Sequence, residues 1–477
     1  MCVRSSAKPP KKNVKASEPA EPLARLIERI ASETKPTKDE IFLTTEYADS
    51  IISRLKSKLP GDVEIIMAGS VARGTQIRGS SDIDIFLQFP KVMEEREMEK
   101  KALFIAKRIV DRKNEHFVIN YAEHPYLKII ENKSGMSADV VPSFKISDAS
   151  EIASAVDRTP LHNIFVNDNL TEKQKGDVRA LKYLLKQHYI YGAEARIGGF
   201  SGYLCELLIC SYGSLLKMLK SLSDAKLPVL IRPEIQEVVY GDRGLEFSRR
   251  FASNLVVVDP TDPNRNVAAA VSDESFARLV IISRMLLASK NLSSVFFGKK
   301  FSDERASASI EGFKRKFSIE SCSIVMPVSK ISEDTVWPQI TKLRKNLEKL
   351  VSESISEPIL VVQSLYQNVA IITFFLNRAE IGSESVRGPS VFIKDGASSF
   401  YLKHSPSEIL LLSGERLVSI RKSEIRDLEG FLRWAVKDKK FPFPSHIMKG
   451  KSKILKRLPE RYAKPVWQEM MKRVLNP

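Results

Sequence analysis

Leu23, Leu26, Ile27 and Ile30 recur at helical spacing near the start of the chain, so residues 22–58 read as helical. An apolar stretch at 63–68 reads as a strand and runs into the turn Gly69-Ser70. A second strand is expected over 82–89, closed by Pro90, then a helix over 91–113 and further strands at 117–122, 126–130 and 138–141. This alternation predicts a compact α+β unit. The middle opens with Thr171 and Gln174, spaced as a capping box for a helix through His188, with Val178, Leu181, Leu185 and His188 on its buried stripe. Residues 200–212 are apolar on nearly all sides, which predicts a buried helix. A short strand follows at 255–262, then a helix over 272–288 with Ser272 as its N-cap.

Beyond residue 290 the pattern shifts to mixed pieces. Strands are expected at 323–328, 359–363, 369–376, 391–394 and 400–403, and helices at 334–354 and 424–436. No internal repeat is evident. At 477 residues the chain is long enough for roughly three domains. The expected division is a basic arm at 1–21, an α+β domain at 22–165, a mainly helical domain at 166–290 and an α+β region at 291–477 ending in a basic tail.

Lys and Arg number 75 against 58 Asp and Glu, a net charge of +17, and such an excess fits a polyanionic partner or a solubilising surface. Lys8, Lys11, Lys12 and Lys15 with three prolines mark the arm as disordered, either a solvated tail or a weak nucleic-acid contact. Residues 437–457 are again basic, with Phe441 and Phe443 interleaved; this suits RNA contact or a loose tail. No apolar run reaches the length of a membrane span, and the N-terminus lacks the apolar core of a signal peptide. Cys2, Cys205, Cys210 and Cys322 lack metal-ligand spacing and are expected as reduced thiols in a cytoplasmic protein.

The chemistry concentrates in the run from Gly69 to Phe86. Asp82 and Asp84 lie one residue apart on an expected strand, so both carboxylates leave the same face. Two carboxylates beside a Gly-Ser turn suit a divalent metal holding a nucleotide. Gly69 allows close backbone approach, and Ser70 follows at a strand-to-helix turn where N–H groups bind phosphate. Ser70 is otherwise a plain N-cap. Arg73, one helical turn on, is either a phosphate partner or a solvated arginine. A two-metal site needs a third carboxylate from a neighbouring strand, and Asp139, alone in an apolar strand, is the candidate; it also suits activation of the attacking 3′-hydroxyl. A structural aspartate paired with an arginine is the alternative.

With the third aspartate on a later strand, this arrangement resembles the polymerase-β-like nucleotidyltransferase superfamily. Ala155-Val-Asp-Arg-Thr-Pro-Leu-His162, Ile190-Tyr-Gly-Ala-Glu194, Gly199-Phe-Ser-Gly-Tyr-Leu-Cys-Glu-Leu-Leu208, Tyr121-Ala-Glu-His-Pro-Tyr126 and the stretch from Val258 through Arg265 to Ala269 narrow it. They resemble the archaeal-type (class I) CCA-adding tRNA nucleotidyltransferases over about residues 22–290. The resemblance implies a polymerase-β-like catalytic domain, a helical central domain and an α+β C-terminal RNA-binding region. It implies template-independent addition of CCA to the tRNA 3′ end from CTP and ATP, with Mg²⁺ and release of pyrophosphate.

The same resemblance makes Ser70 and Arg73 triphosphate-binding positions and Asp82, Asp84 and Asp139 metal carboxylates, the first being Glu in many members. His162, Lys182 and Tyr191 match further nucleotide-binding positions, and Arg265 an arginine near the incoming nucleotide. Read on their own, the same residues leave alternatives. Lys182, at the margin of an apolar stripe, needs an anion or must snorkel. His162 could be a satisfied histidine, Tyr191 a core tyrosine and Arg265 a solvated loop residue. The expected partners are the tRNA acceptor arm, CTP and ATP, with no membrane; a homodimer is one option, the sequence leaving protomer number open. The competing readings are a poly(A)- or oligoadenylate-forming relative and an inactive RNA-binding protein.

Overall fold

The computed structural model describes residues 22–80, 82–121, 124–146, 149–298, 304–377, 383–406, 408–422, 427–438 and 441–474. The expected basic arm at 1–21 lies outside them. Contacts divide the described chain into two compact units, one within 22–193 and 197–298, the other formed by 194–196 and residues from 304 onward.

The first unit opens with α1 (Leu23–Glu33) and α2 (Lys38–Lys56), two helices where the sequence reads as one helical stretch. Thr34 ends α1 by donating its hydroxyl to the Ile30 carbonyl, and Thr37 with Glu40 forms a capping box that starts α2. A five-stranded sheet follows: β1 (Glu64–Ala68), β2 (Asp82–Phe89), β3 (Glu115–Tyr121), β4 (Pro125–Glu131) and β5 (Ser137–Phe144), with α3 (Gly69–Arg73) between β1 and β2 and α4 (Glu95–Arg108) between β2 and β3. Strand order is β1-β2-β5-β4-β3, and only the β2–β5 pair is parallel.

One sheet face is apolar. Ile83, Ile85, Leu87, Leu127, Ile129, Ala138 and Val140 pack there with Ile51 and Leu55 of α2 and Met98 and Ala102 of α4. Period-two alternation sends Asp82, Asp84, Lys128 and Asp139 to the opposite face.

A helical core comes next: α5 (Thr159–Asn169), α6 (Glu172–Gln187), α7 (Gly202–Tyr212) and α8 (Leu215–Ser223), then β6 (Val229–Arg232), β7 (Glu237–Tyr240), α9 (Leu245–Phe251), β8 (Leu255–Asp259), β9 (Asp262–Asn266), α10 (Asp273–Ala288) and α11 (Leu292–Phe297). The Thr171–Gln174 capping box opens α6, and the Ser201 and Ser272 hydroxyls cap α7 and α10. Every residue of α7 from Leu204 to Tyr212 is buried. The α1 stripe of Leu26, Ile27 and Ile30 packs into this helical core, although α1 precedes the sheet in the chain.

The second unit holds α12 (Ala306–Phe317), β10 (Glu320–Pro327), α13 (Glu333–Ser354), β11 (Leu360–Tyr366), β12 (Val369–Leu376), β13 (Ser383–Ser390), α14 (Lys394–His404), β14 (Ile409–Ser413), β15 (Arg416–Lys422), α15 (Leu428–Lys437), β16 (Lys453–Leu455) and α16 (Glu460–Lys472). Its sheets run β11-β12-β10-β16 and β13-β15-β14.

Two expectations fail here. Residues 391–394 and 400–403 are not strands: 391–393 form a turn and the rest lies in α14. The apolar run Phe400-Tyr-Leu402 suggested a strand, but Phe400 and His404, one helical turn apart with ring centroids 4.3 Å apart, form the inner face, while Tyr401 and Leu402 are exposed. Gly388 of β13 leaves room for the Phe400 ring. The basic segment after 437 is not a loose tail. β16 pairs with β10, Phe441 is buried, and the Lys449 ammonium donates to the Phe441 carbonyl at 3.0 Å and lies 4.8 Å from the Phe443 ring. Phe441 is therefore core rather than a platform for stacking bases. Among the described residues no single helix is long and apolar enough to cross a membrane.

Candidate active site

Parallel register between β2 and β5 sets Asp84 beside Asp139 and Asp82 beside Ser137. Antiparallel register between β4 and β5 sets Lys128 beside Asp139. The Lys128 ammonium donates to Asp82 Oδ1 at 2.9 Å and stands 3.6 Å from Asp139 Oδ1. Ser137 Oγ donates to the same Asp82 oxygen at 2.6 Å. Burial of Asp82 is outweighed by these two hydrogen bonds, so its carboxyl stays below the ordinary range. Asp84 lacks such partners: burial, and next the charge of Asp139, push it up to about 7. Burial also raises Asp139, against the pull of Lys128. Its Oδ1 is buried and accepts no hydrogen bond.

Three carboxylates with one lysine between them form a cluster short of positive charge. The donors are all oxygen, which suits a hard divalent cation. Among the described residues Asp139 faces the shared Lys128 at 3.6 Å and no arginine, which fits that reading better than a structural aspartate paired with an arginine.

Backbone geometry makes room for this cluster. Ala68 pairs with Asp84, and the chain turns at Gly69 with φ +73°, a conformation costly for any residue with a Cβ. A Cβ on Gly69 would lie 1.7 Å from Asp84 Oδ2. The backbone passes against the carboxylate there because glycine has nothing in the way. Ser70 does not cap α3: Ala68 holds the cap position and Ser70 lies inside the first turn.

Arg73 and Lys182 take a form the sequence did not show. Arg73 is neither solvated nor free for phosphate alone. It is buried, with Nε 2.9 Å from Glu206 Oε2 and a guanidinium nitrogen donating to Asn163 Oδ1 at 2.6 Å. Lys182 does not snorkel either; its ammonium donates to the Thr75 carbonyl at 3.0 Å and the Thr75 hydroxyl at 3.2 Å, and lies 3.5 Å from Glu206 Oε1. Glu206 is fully buried and also accepts from the Thr75 hydroxyl. Burial opposes its charge, yet Lys182 and Arg73 hold its carboxyl below the usual range. Tyr191 comes to the same place: a Cβ on Gly202 would meet the Tyr191 hydroxyl at 3.2 Å and Lys182 Nζ at 3.5 Å.

His162 and Arg265 meet on one buried carboxylate. Asp259 Oδ2 is 3.0 Å from His162 Nε2 and accepts from Arg265 at 2.6 Å, while its Oδ1 accepts from the Tyr203 hydroxyl at 3.2 Å and from the Thr261 backbone N–H at 2.9 Å. Burial opposes the Asp259 charge, but His162 and its other donors keep the carboxyl well below the usual range. The His162 ring stacks on Tyr203 at 3.9 Å, and burial lowers its basicity despite Asp259. The two groups are neighbours along their helices: α5 supplies His162 and Asn163, and α7 supplies Tyr203 and Glu206. Lys128, Glu206, Asp259, Tyr203 and Asn163 escaped the sequence reading. Glu206 carried a signal, since a carboxylate in the middle of an otherwise apolar helix needs a buried cation.

An antiparallel-parallel sheet with adjoining acidic residues beside a glycine turn is the architecture of a polymerase-β-like nucleotidyltransferase. The comparisons agree: residues 48–162 match the model described as nucleotidyltransferase domain, and residues 176–297 the one described as tRNA nucleotidyltransferase, second domain. The chain is 32% identical over 390 residues to the CCA-adding enzyme of Methanocaldococcus jannaschii, covering 80% of this chain and 84% of the relative. It is 30% identical over 431 residues to that of Haloarcula marismortui, covering 85% and 88%. The Cid1 poly(U) polymerase overlaps 58% of this chain at a TM-score of 0.45 and 15% identity, too distant to carry a conclusion. The chain belongs to the family of CCA-adding enzymes, which are nucleotidyltransferases.

Proposed function

We propose that this chain completes and repairs the 3′ end of tRNA, adding C, C and A from CTP and ATP without a nucleic-acid template. The observation that carries the reading is the Asp82, Asp84 and Asp139 face set against the Gly69 turn, in a chain related to CCA-adding enzymes over most of its length. Asp84 and Asp139, with Asp82, would hold Mg²⁺, which when bound supplies positive charge to the attacking and leaving oxygens. The chain's own groups do the rest. The backbone at Gly69 and Ser70 receives the triphosphate, and Arg73 and Lys182 supply positive charge behind it. The Asp139 carboxylate takes the proton of the tRNA 3′-hydroxyl as that hydroxyl oxygen attacks the α-phosphorus, and pyrophosphate leaves. Arg265 and His162, braced by Asp259, border the incoming nucleotide. The net charge of +17 suits binding of the acceptor arm.

Incubation with tRNA lacking its terminal CCA, Mg²⁺ and labelled CTP tests the reading. Incorporation of two C residues, followed by one A when ATP is added, is expected. Incorporation from ATP alone, or equal use of unrelated RNA, would sink it in favour of a poly(A)-forming relative.

A further inference from the structure

Arg73 and Lys182 are two cations that share one buried carboxylate. Glu206 spends Oε2 on Arg73 and faces Lys182 and the Thr75 hydroxyl with Oε1. Removing an isolated carboxylate from such a place would leave two cations buried near each other, an arrangement that is strongly unfavourable. Two cations face one carboxylate in a place enclosed by protein, and Asp84 is the further negative charge within reach of Arg73. The group adjoins the end of α3, the helix that begins at the Gly69-Ser70 turn.

We infer that Glu206 is a positioning residue for the nucleotide triphosphate, holding the Arg73 guanidinium and the Lys182 ammonium side by side and charged at the end of the phosphate turn. The inference rests on the nucleotidyl-transfer reading above. Three elements meet on this one side chain: α3 with the residues just after it, through Arg73 and Thr75; α6, through Lys182; and α7, which carries Glu206 itself. Asn163 of α5 fixes Arg73 from the other side and donates to the Met67 carbonyl of β1 at 3.0 Å. Glu206, Thr75 and Asn163 hold both cations in place, so the positive charge they present behind the phosphate turn is already oriented, and the cost of ordering two long side chains is met on folding rather than on binding. Without the carboxylate, repulsion between the two cations separates them or strips the proton from Lys182, and the triphosphate loses an oriented partner.

The test compares full-length Glu206→Gln, Glu206→Asp and Thr75→Val chains with the wild type. Equilibrium dialysis of labelled ATP and CTP with Mg²⁺ reads nucleotide binding directly. KM and kcat with tRNA lacking CCA, and tRNA affinity, are measured beside it. In Glu206→Gln both nucleotide dissociation constants and both KM values should rise about tenfold, with a smaller fall in kcat and tRNA affinity within about twofold. Glu206→Asp keeps the charge on a shorter stem and should recover part of the loss; Thr75→Val should show a milder rise. A folded Glu206→Gln chain with wild-type nucleotide binding and KM, whatever its melting temperature, would overturn the inference. If Glu206→Gln fails to fold, the other two decide: a raised KM in either supports positioning, and wild-type values in both refute it. Failure of the wild type to incorporate C would sink the parent reading instead, and dialysis would still report on Glu206.

Discussion

The first unit contains two charge clusters with opposite imbalances, one on a partly open sheet face and one buried. On the β2–β5 face, three carboxylates share one lysine, and the most enclosed of them, Asp84, is pushed up to about 7. Behind the phosphate turn, two cations share Glu206. On the proposed function, a divalent cation would balance the carboxylate face and the triphosphate would meet the positive charge behind the turn.

Breaking the carboxylate side should have the largest effect. Asp84→Ala is expected to lower nucleotide addition about a thousandfold or more while tRNA affinity in a filter-binding titration stays near wild type. Full activity would refute the assignment of Asp84. Gly69→Ala comes next. Its Cβ would strike Asp84 Oδ2, so the turn or the carboxylate must move by about an ångström, and kcat should fall about a hundredfold. A wild-type kcat in that variant would mean that the close approach is incidental. Asp259→Asn sharpens the comparison by leaving both clusters intact and loosening only His162 and Arg265; nucleotide KM should rise about tenfold with a smaller change in kcat. The smallest effect is expected from Lys128→Met. Loss of the ammonium between Asp82 and Asp139 removes a competitor for the metal, so Mn²⁺ should bind about threefold more tightly in a paramagnetic-resonance titration. Weaker Mn²⁺ binding would show that Lys128 helps the metal rather than competing with it.

The contrast also explains what could be read in the chain. Asp82, Asp84 and Asp139 were legible because a strand exposes alternate residues on one face, so a short pattern fixes where the side chains point. The N-caps Thr171 and Ser272 are equally local: a hydroxyl and the N–H three residues on suffice. The second cluster was not legible as a cluster. Arg73, Lys182 and Glu206 come from three helices, and neither their meeting nor its stoichiometry has a sequence period. Resemblance supplied roles for Arg73 and Lys182 but said nothing of the carboxylate between them. In α14, three adjacent apolar residues read as a strand, because a short run does not separate the two periods; packing of Phe400 against Gly388 decided for the helix. Phe441, which the sequence left to RNA contact or a loose tail, is core, since burial depends on β16 pairing with β10.

Thermal melting of the full-length protein with Mg²⁺ alone, with ATP alone and with both, in the wild type and in Asp84→Ala, tests the complementary imbalance most directly. Because the metal would balance the carboxylate face while the triphosphate meets the positive charge behind the turn, the shift with both should exceed the sum of the separate shifts in the wild type, and that excess should vanish in Asp84→Ala. Additive shifts in the wild type, or the same excess in Asp84→Ala, would contradict the account.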